Sequence, residues 1–102
     1  MTPLPPSRQD WSESERAELR RLEMVCEATD HWKLECSHTD VGDPWCIVYD
    51  QEEHRIILHI ARIERQYVVV WPGENRSAKT AIMAVAIERA LERLQLRRRR
   101  AS

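Results

Sequence analysis

The chain has 102 residues and a net charge of −1, and 42% of its residues are hydrophobic while 32% are charged. This balance excludes a disordered chain and predicts a single folded domain. No apolar run approaches the roughly 20 residues of a membrane-spanning helix, and the chain starts with three prolines in place of the apolar core of a secretory signal. We therefore expect a cytoplasmic protein without a membrane segment.

The N-terminal part of the chain is expected to form one helix after a disordered segment. Residues 1–10 carry the three prolines and almost no apolar side chains, so we expect them to be disordered. Ser12 is a suitable helix N-cap, and Glu15 three residues later completes a capping box. Apolar residues recur at helical spacing over residues 19–26, and the helix is expected to end near residue 30.

Four runs between residues 31 and 71 have the composition of β-strands. Polar and apolar side chains alternate in them, as expected where one face of a sheet is buried. Short links join consecutive runs, and parallel pairing would need a crossover of a dozen residues or more, so antiparallel neighbours are expected. The four predicted strands are residues 31–37, 45–50, 54–64 and 67–71.

The alternation in the two central runs also predicts which side chains share a face. A bulge or a strand end is expected near Ala61 and Arg62, because Ile63 breaks the alternation. In the second run Trp45, Ile47 and Tyr49 share a face, and in the third run Ile56, Leu58 and Ile60 do. The residues expected in the core are Trp45, Ile56, Leu58 and Ile60.

A second helix is predicted after the fourth run. Ser77 is the expected N-cap, and apolar residues follow at helical spacing from Met83 to Leu94, which is the strongest periodic signal in the chain. The predicted fold is therefore α+β: a four-stranded antiparallel meander flanked by N- and C-terminal helices, in the order α-β-β-β-β-α and in two layers. One domain is expected over residues 11–96, followed by a basic tail over residues 97–102.

The residues that could carry chemistry form no recognisable motif. The three cysteines, Cys26, Cys36 and Cys46, are expected to be reduced, since their number is odd and no secretory signal is present. No Cys-x-x-Cys pair or similar zinc spacing occurs, so neither a metal nor a cofactor is predicted. Cys46 with His59 as its base is formally available as a nucleophile, but no catalytic motif accompanies it, and we expect the protein not to be an enzyme.

Nucleic acid is the alternative partner. Residues 1–53 hold 13 acidic and 5 basic side chains, whereas residues 54–102 hold 4 and 11. The stretch from Asn75 to Lys79 resembles the entry to the last helix of double-stranded-RNA-binding domains. The resemblance implies that Arg76 and Lys79 contact phosphates, although a fourth strand and an acidic first helix depart from that family's pattern. The residues that would contact nucleic acid are Arg76, Lys79, Arg97, Arg98, Arg99 and Arg100.

A protein partner or self-association is the preferred function, because one sheet and two helices are too few to cover all the apolar side chains. Ile82 and Val85 lie off the apolar stripe of the second helix, and Val68 and Val70 make both faces of the fourth run apolar. The prediction is a small, non-enzymatic interaction module that can form a homodimer. Its predicted interface residues are Ile82, Val85, Ile57, Val68 and Val70.

One further segment resembles known proteins. The stretch from Gly42 to Asp50, which begins Gly-Asp-Pro-Trp, and the continuation His-Ile-Ala-Arg-Ile at residues 59–63 are similar to a segment of small uncharacterised bacterial proteins. That family has no assigned activity. The resemblance therefore implies a bacterial, cytoplasmic origin and transfers no function.

Overall fold

In the computed structural model of the chain, two helices pack on one face of an antiparallel sheet. The described residues are 11–39 and 42–101, with the side chains of the last helix described as far as Arg98, so residues 1–10 lie outside them. The α+β class, the antiparallel sheet and the helices that precede and follow it in the chain confirm the coarse sequence prediction. The elements in chain order are α1 (Glu13–Glu27), β1 (Trp32–His38), β2 (Pro44–Asp50), β3 (Arg55–Ile63), β4 (Gln66–Trp71), a 3-10 turn (Pro72–Glu74), β5 (Arg76–Thr80) and α2 (Met83–Ala101).

α1 begins at the capping box that the sequence predicts. The Glu15 backbone N–H donates to the Ser12 hydroxyl at 3.2 Å, and the Ser12 backbone N–H donates to the Glu15 carboxylate at 2.7 Å. The helix buries Leu19 and Leu22 and ends at Glu27, close to the predicted end. The reciprocal bonds satisfy two backbone donors that a helix start otherwise leaves open.

Each strand pairs with the strand next to it in the chain, so the order in the sheet is β1-β2-β3-β4-β5. The register places Val48 opposite Leu58 and Ile60 opposite Val69, and all four side chains are fully buried. They belong to the same hydrophobic cluster as the apolar stripes of both helices. The core therefore lies between this face of the sheet and the helices.

α2 confirms the strongest periodic signal of the sequence. It packs against α1, β4 and β5, and it continues through residues 97–101, which the sequence predicted as a basic tail. No helix in the described part of the chain is long and apolar enough to cross a membrane. The residues of the apolar stripe of α2, all of them buried, are Met83, Ala86, Ile87, Ala90, Leu91 and Leu94.

The prediction of four strands is wrong, because residues expected as a loop and a helix start form a fifth strand. β5 pairs antiparallel with β4, and Ser77 lies inside it rather than capping a helix. α2 begins later in the chain. Just before it, the Thr80 hydroxyl accepts a hydrogen bond from the Ile82 backbone N–H at 3.1 Å. The sequence does not reveal β5 because Ala78 is its one apolar residue, and a strand at the edge of a sheet needs little apolar surface.

A bulge in β3 changes which side chains face the core. The register between β2 and β3 shifts by one residue, which leaves Ile57 as the extra residue of β3. Ile57 and Leu58 are therefore both buried, at 6% and 0% exposure, whereas Ile56 is 40% exposed. The prediction of Ile56 as a core residue is wrong. Of the two alternatives predicted near Ala61 and Arg62, the bulge is not formed, because both residues pair regularly with β4, whereas a strand end does follow, since β3 ends at Ile63.

The residues of β2 that face the helices are not the ones that the sequence predicts for the core. Cys46 and Val48 are fully buried on the helix side, while Trp45, Ile47 and Tyr49 are half-buried on the other face. The expectation of Trp45 as a core residue is therefore wrong. Alternation shows which residues share a face, but when both sets are apolar it does not show which set meets the helices.

The cysteines also differ from the prediction. Cys36 and Cys46 stand opposite each other on β1 and β2 and form a disulfide, so the expectation of three reduced thiols is wrong for this pair. Cys26 is an unpaired, buried thiol, and burial together with the charges of Glu23 and Glu27 raises its pKa to about 11. A disulfide is more typical of an oxidising compartment than of the cytoplasm expected from the sequence.

Candidate interaction surface

The face of the sheet opposite the helices is hereafter called the outer face. The register assigns to it alternate residues of all five strands. Both helices pack on the other face, and no helix of the described chain covers this one. The apolar residues that the three central strands place on the outer face are Trp45, Ile47, Tyr49, Ile56, Ala61, Ile63, Val68 and Val70.

Charged side chains on the outer face lie only at its two edges. Lys33 and Glu35 occupy it on β1, and Lys79 occupies it on β5. β2, β3 and β4 contribute no Asp, Glu, Lys or Arg side chain to this face. An apolar centre with charges at its margin is the composition of a protein interface rather than of a solvated surface.

His59 is the one imidazole on the outer face. It lies opposite Ile47 on β2 and Val70 on β4, and its ring centroid is 6.0 Å from that of Trp45. Burial lowers the pKa of His59 below its ordinary value of 6.5. The neutral ring is therefore the main form at pH 7, and the centre of the outer face carries no net charge.

The five residues predicted as a protein interface do not form one surface. Val68 and Val70 lie half-buried on the outer face. Ile82, which is 58% exposed, lies just before α2, and Val85, which is 38% exposed, lies in its first turn. Both are on the other side of the sheet. Ile57 is buried by the bulge, so its prediction as an interface residue is wrong.

The sequence contained a signal for the residues that were missed. The alternation correctly predicts that Trp45, Ile47 and Tyr49 share a face, but this face is the outer one and not the core. Cys46 and Val48 are also apolar, so both faces of β2 could have met the helices. The sequence of β4 already indicates a sheet that is apolar on two sides, and the same count on β2 extends this surface to Trp45, Ile47 and Tyr49.

The basic residues predicted to contact nucleic acid do not lie where the resemblance requires. Arg76 and Lys79 belong to β5, an edge strand, and not to the start of a helix. The helix entry that resembles double-stranded-RNA-binding domains is therefore not formed. The two side chains also point to opposite faces of the sheet, because their positions in the strand differ by three, an odd number.

The cations at the end of α2 are also not all available. Arg97 bonds to Glu53 in the loop between β2 and β3, whereas Arg98 is exposed. The side chains of Arg99 and Arg100 lie outside the described residues. The predicted nucleic-acid residues thus do not converge on one described surface.

The candidate groups for catalysis and metal binding are separated by the sheet. Cys46 lies on the helix side and is bonded to Cys36, while His59 lies on the outer face. The nucleophile and base considered from the sequence therefore do not meet. Within residues 11–39 and 42–101, no group of three or more His, Cys, Asp or Glu side chains is arranged to hold a metal ion.

A buried ionic cluster fastens the start of α1 to the sheet. The Glu15 carboxylate, 7% exposed, accepts hydrogen bonds from the Tyr67 hydroxyl and the Arg62 guanidinium. The Arg62 guanidinium lies over the Trp11 ring, 6.0 Å from its centroid. Burial opposes ionisation of Glu15, but the Ser12 N–H, the Tyr67 hydroxyl and the Arg62 charge outweigh it, so the pKa of Glu15 lies below its ordinary value. We interpret this cluster as structural, because the Glu15 carboxylate bonds to both Arg62 and Tyr67.

Comparison with protein-family models, with curated proteins and with solved structures found no match to this chain. Its function is therefore inferred from the outer face, the exposed edges of the sheet and the charges beside them.

Proposed function

We propose that this protein is a non-enzymatic interaction module that self-associates through the outer face of its sheet. The observation that carries the proposal is an apolar centre on three strands, without an Asp, Glu, Lys or Arg side chain. Trp45 and Tyr49 add the aromatic rings that are enriched at protein interfaces. Because His59 is neutral at pH 7, burial of this surface does not bury a charged imidazole.

The size of the outer face is compatible with a stable dimer. Five strands at about 4.8 Å spacing and about six residues at 3.3 Å each give a face of roughly 24 by 20 Å. Two such faces have a flat area of about 1,000 Å², and the relief of the side chains increases the accessible area further. The total approaches the range of roughly 1,200–2,000 Å² that specific interfaces bury.

The charges at the edges of the outer face favour a second copy as the partner. In a face-to-face dimer with its two-fold axis parallel to the strands, β1 of one protomer lies over β5 of the other. Glu35, whose carboxylate lies 4.0 Å from the Lys33 ammonium in its own protomer, and Lys79 at the second edge then approach each other twice, once on each side of the axis. Such rim pairs set the orientation of the partners more than they add affinity.

Sedimentation equilibrium at 1–100 µM protein tests the proposal. We expect a dimer of twice the 12.1 kDa chain mass, and Ile47→Glu should convert it to a monomer because it places a charge in the centre of the interface. Ile82→Glu is the matched control, since it makes the same change just before α2, on the other side of the sheet, and should leave the dimer intact. Val68→Lys is a second outer-face variant, and circular dichroism establishes that each variant is folded.

Two results would contradict the proposal. The first is a wild-type chain that remains a monomer at 100 µM. The second is a dimer that Ile82→Glu disrupts and that folded Ile47→Glu and Val68→Lys leave unchanged, because the interface would then lie at the start of α2.

A further inference from the structure

β5 is the last strand of the sheet, and in the described chain no strand lies on its far side. An edge strand leaves the N–H and C=O groups of alternate residues without a strand partner. α2 packs over this end of the sheet, and a groove of about 640 Å³ runs between α2 and β5. A strand edge bordered by a helix is a geometry in which extended peptides add to a sheet.

The groove offers apolar contacts along α2. Val85 and Leu96, which are 38% and 42% exposed, line it three turns apart on the helix. Ala78, half-buried on β5, lies on the side of the strand that faces the helix. A strand that pairs with β5 would therefore direct every second side chain toward an apolar wall.

The groove also has an excess of positive charge. Arg76 and Lys79 on β5 and Arg89 on α2 line it and are exposed, and the described residues give none of the three an ion-pair partner. Arg93 also lines the groove, but it is bonded to Glu74. The remaining acidic residue of the lining is Glu92, so the unpaired cations outnumber it.

This charge decides between the candidate occupants. A second copy paired edge to edge at β5 would bring the cations of two protomers together, and like charges at close range are unfavourable. A nucleic-acid strand would match the charge, but single strands bind mainly by stacking on exposed aromatic rings. The one aromatic residue of the lining, Trp71, is 6% exposed and offers no such platform.

We propose that the groove between β5 and α2 binds an extended, acidic peptide segment of another protein, which adds to the sheet as a sixth strand. Its backbone pairs with the open edge of β5, and its apolar side chains contact Val85 and Leu96. Its carboxylates on the side that faces α2 pair with Arg76 and Arg89, and those on the other side pair with Lys79. This site shares only Lys79 with the rim of the outer face, because face-to-face packing of two sheets leaves their edges uncovered.

Fluorescence anisotropy with defined peptides tests this proposal on the full chain at low salt. The probe is a fluorescein-labelled eight-residue peptide of repeating Glu-Glu-Val-Val, which places both residue types on each face of an extended strand. One control peptide replaces each Glu with Lys, and a second replaces two of the Val residues with Pro, which removes the backbone donors that strand pairing needs. We expect both controls to bind at least about tenfold more weakly than the probe.

Charge-reversal variants locate the site. We expect Lys79→Glu and Arg89→Glu each to weaken binding of the Glu/Val peptide by about tenfold. Lys33→Glu, at the opposite edge of the sheet, is the matched control and should change the affinity by less than about twofold. Circular dichroism verifies that each variant is folded. Because the two variants lie on different elements, the test remains valid if one of them does not fold. Binding should also persist in Ile47→Glu, which separates this proposal from the dimer.

Four outcomes would overturn the proposal. They are no binding of the Glu/Val peptide at 1 mM, equal binding of the Pro-containing peptide, equal binding of the Lys/Val peptide, and an unchanged affinity in both Lys79→Glu and Arg89→Glu. Tighter binding of a labelled ten-nucleotide oligothymidylate would also overturn it and would assign the cations to nucleic acid. Amide hydrogen exchange gives an independent readout, because strand addition should slow exchange in β5 and leave β1 unchanged.

Discussion

Replacing Glu15 with alanine should destabilise the protein more than any change of an exposed glutamate. The carboxylate is 7% exposed and accepts hydrogen bonds from Arg62, Tyr67 and the Ser12 backbone. Its removal leaves the Arg62 charge, 20% exposed, without this partner, and it also opens the capping box. Breaking a buried ion pair on one side costs about 3–5 kcal/mol, and the partial exposure of Arg62 favours the lower end, about 3 kcal/mol.

Urea unfolding followed by tryptophan fluorescence measures this loss. Glu23→Ala is the matched control, because Glu23 is exposed in the middle of the same helix, and it should cost less than about 0.5 kcal/mol. A loss of about 3 kcal/mol also corresponds to a thermal midpoint lowered by roughly 15 °C for a domain of this size. If Glu15→Ala and Glu23→Ala unfolded within 1 kcal/mol of each other, the cluster would not hold α1 to the sheet.

The pH dependence of stability gives a second check on the same residue. Because the pKa of Glu15 is lower in the folded chain than its ordinary value of 4.5, the unfolded chain binds the proton more readily. The stabilisation is therefore complete above pH 4.5 and is lost as the pH falls through the lower, folded-state pKa. We expect Glu15→Ala to show a shallower acid limb than the wild type.

Three further predictions concern a turn and two side chains. Glu64 and Arg65 join β3 to β4 with φ angles of 56° and 115°, so replacing them with Asn and Gly should raise the unfolding free energy by about 1 kcal/mol, and a lower urea midpoint would contradict this. The Cys26 thiol, with its pKa of about 11, should react with a thiol reagent at pH 8 only after unfolding. Burial and the bond to Glu15 raise the pKa of Tyr67 to about 12, so the tyrosine titration followed at 295 nm should extend to higher pH in the wild type than in Glu15→Ala, which lacks the bond to Tyr67.

The parts of the fold that the sequence predicts are those with a strong local pattern. The capping box of α1 requires only Ser12 and Glu15, and both bonds form. The stripe from Met83 to Leu94 has one consistent period over three turns, and every member is buried. Short links between strands exclude parallel pairing without any knowledge of the core.

The parts that the sequence does not predict depend on contacts between distant residues. The bulge at Ile57 exists only in relation to β2, so it reverses the exposure of Ile56 without a local signal. β5 forms because β4 offers an open edge, and its own residues carry little preference for a strand. The candidate surface was missed for the same reason: Trp45 could lie on either side until the positions of both helices were known.

The order of the strands has a consequence for how quickly the chain folds. Every strand finds its partner in the segment that immediately precedes or follows it, so successive hairpins can close without long loops and with a small entropic cost. Topologies dominated by such local pairings reach the native state faster than Greek-key sandwiches of similar length. The packing of α1 against α2 joins the first helix to the last. Stopped-flow refolding should therefore show this contact as the slowest to form. A variant that disrupts the contact should accelerate unfolding more than it slows folding.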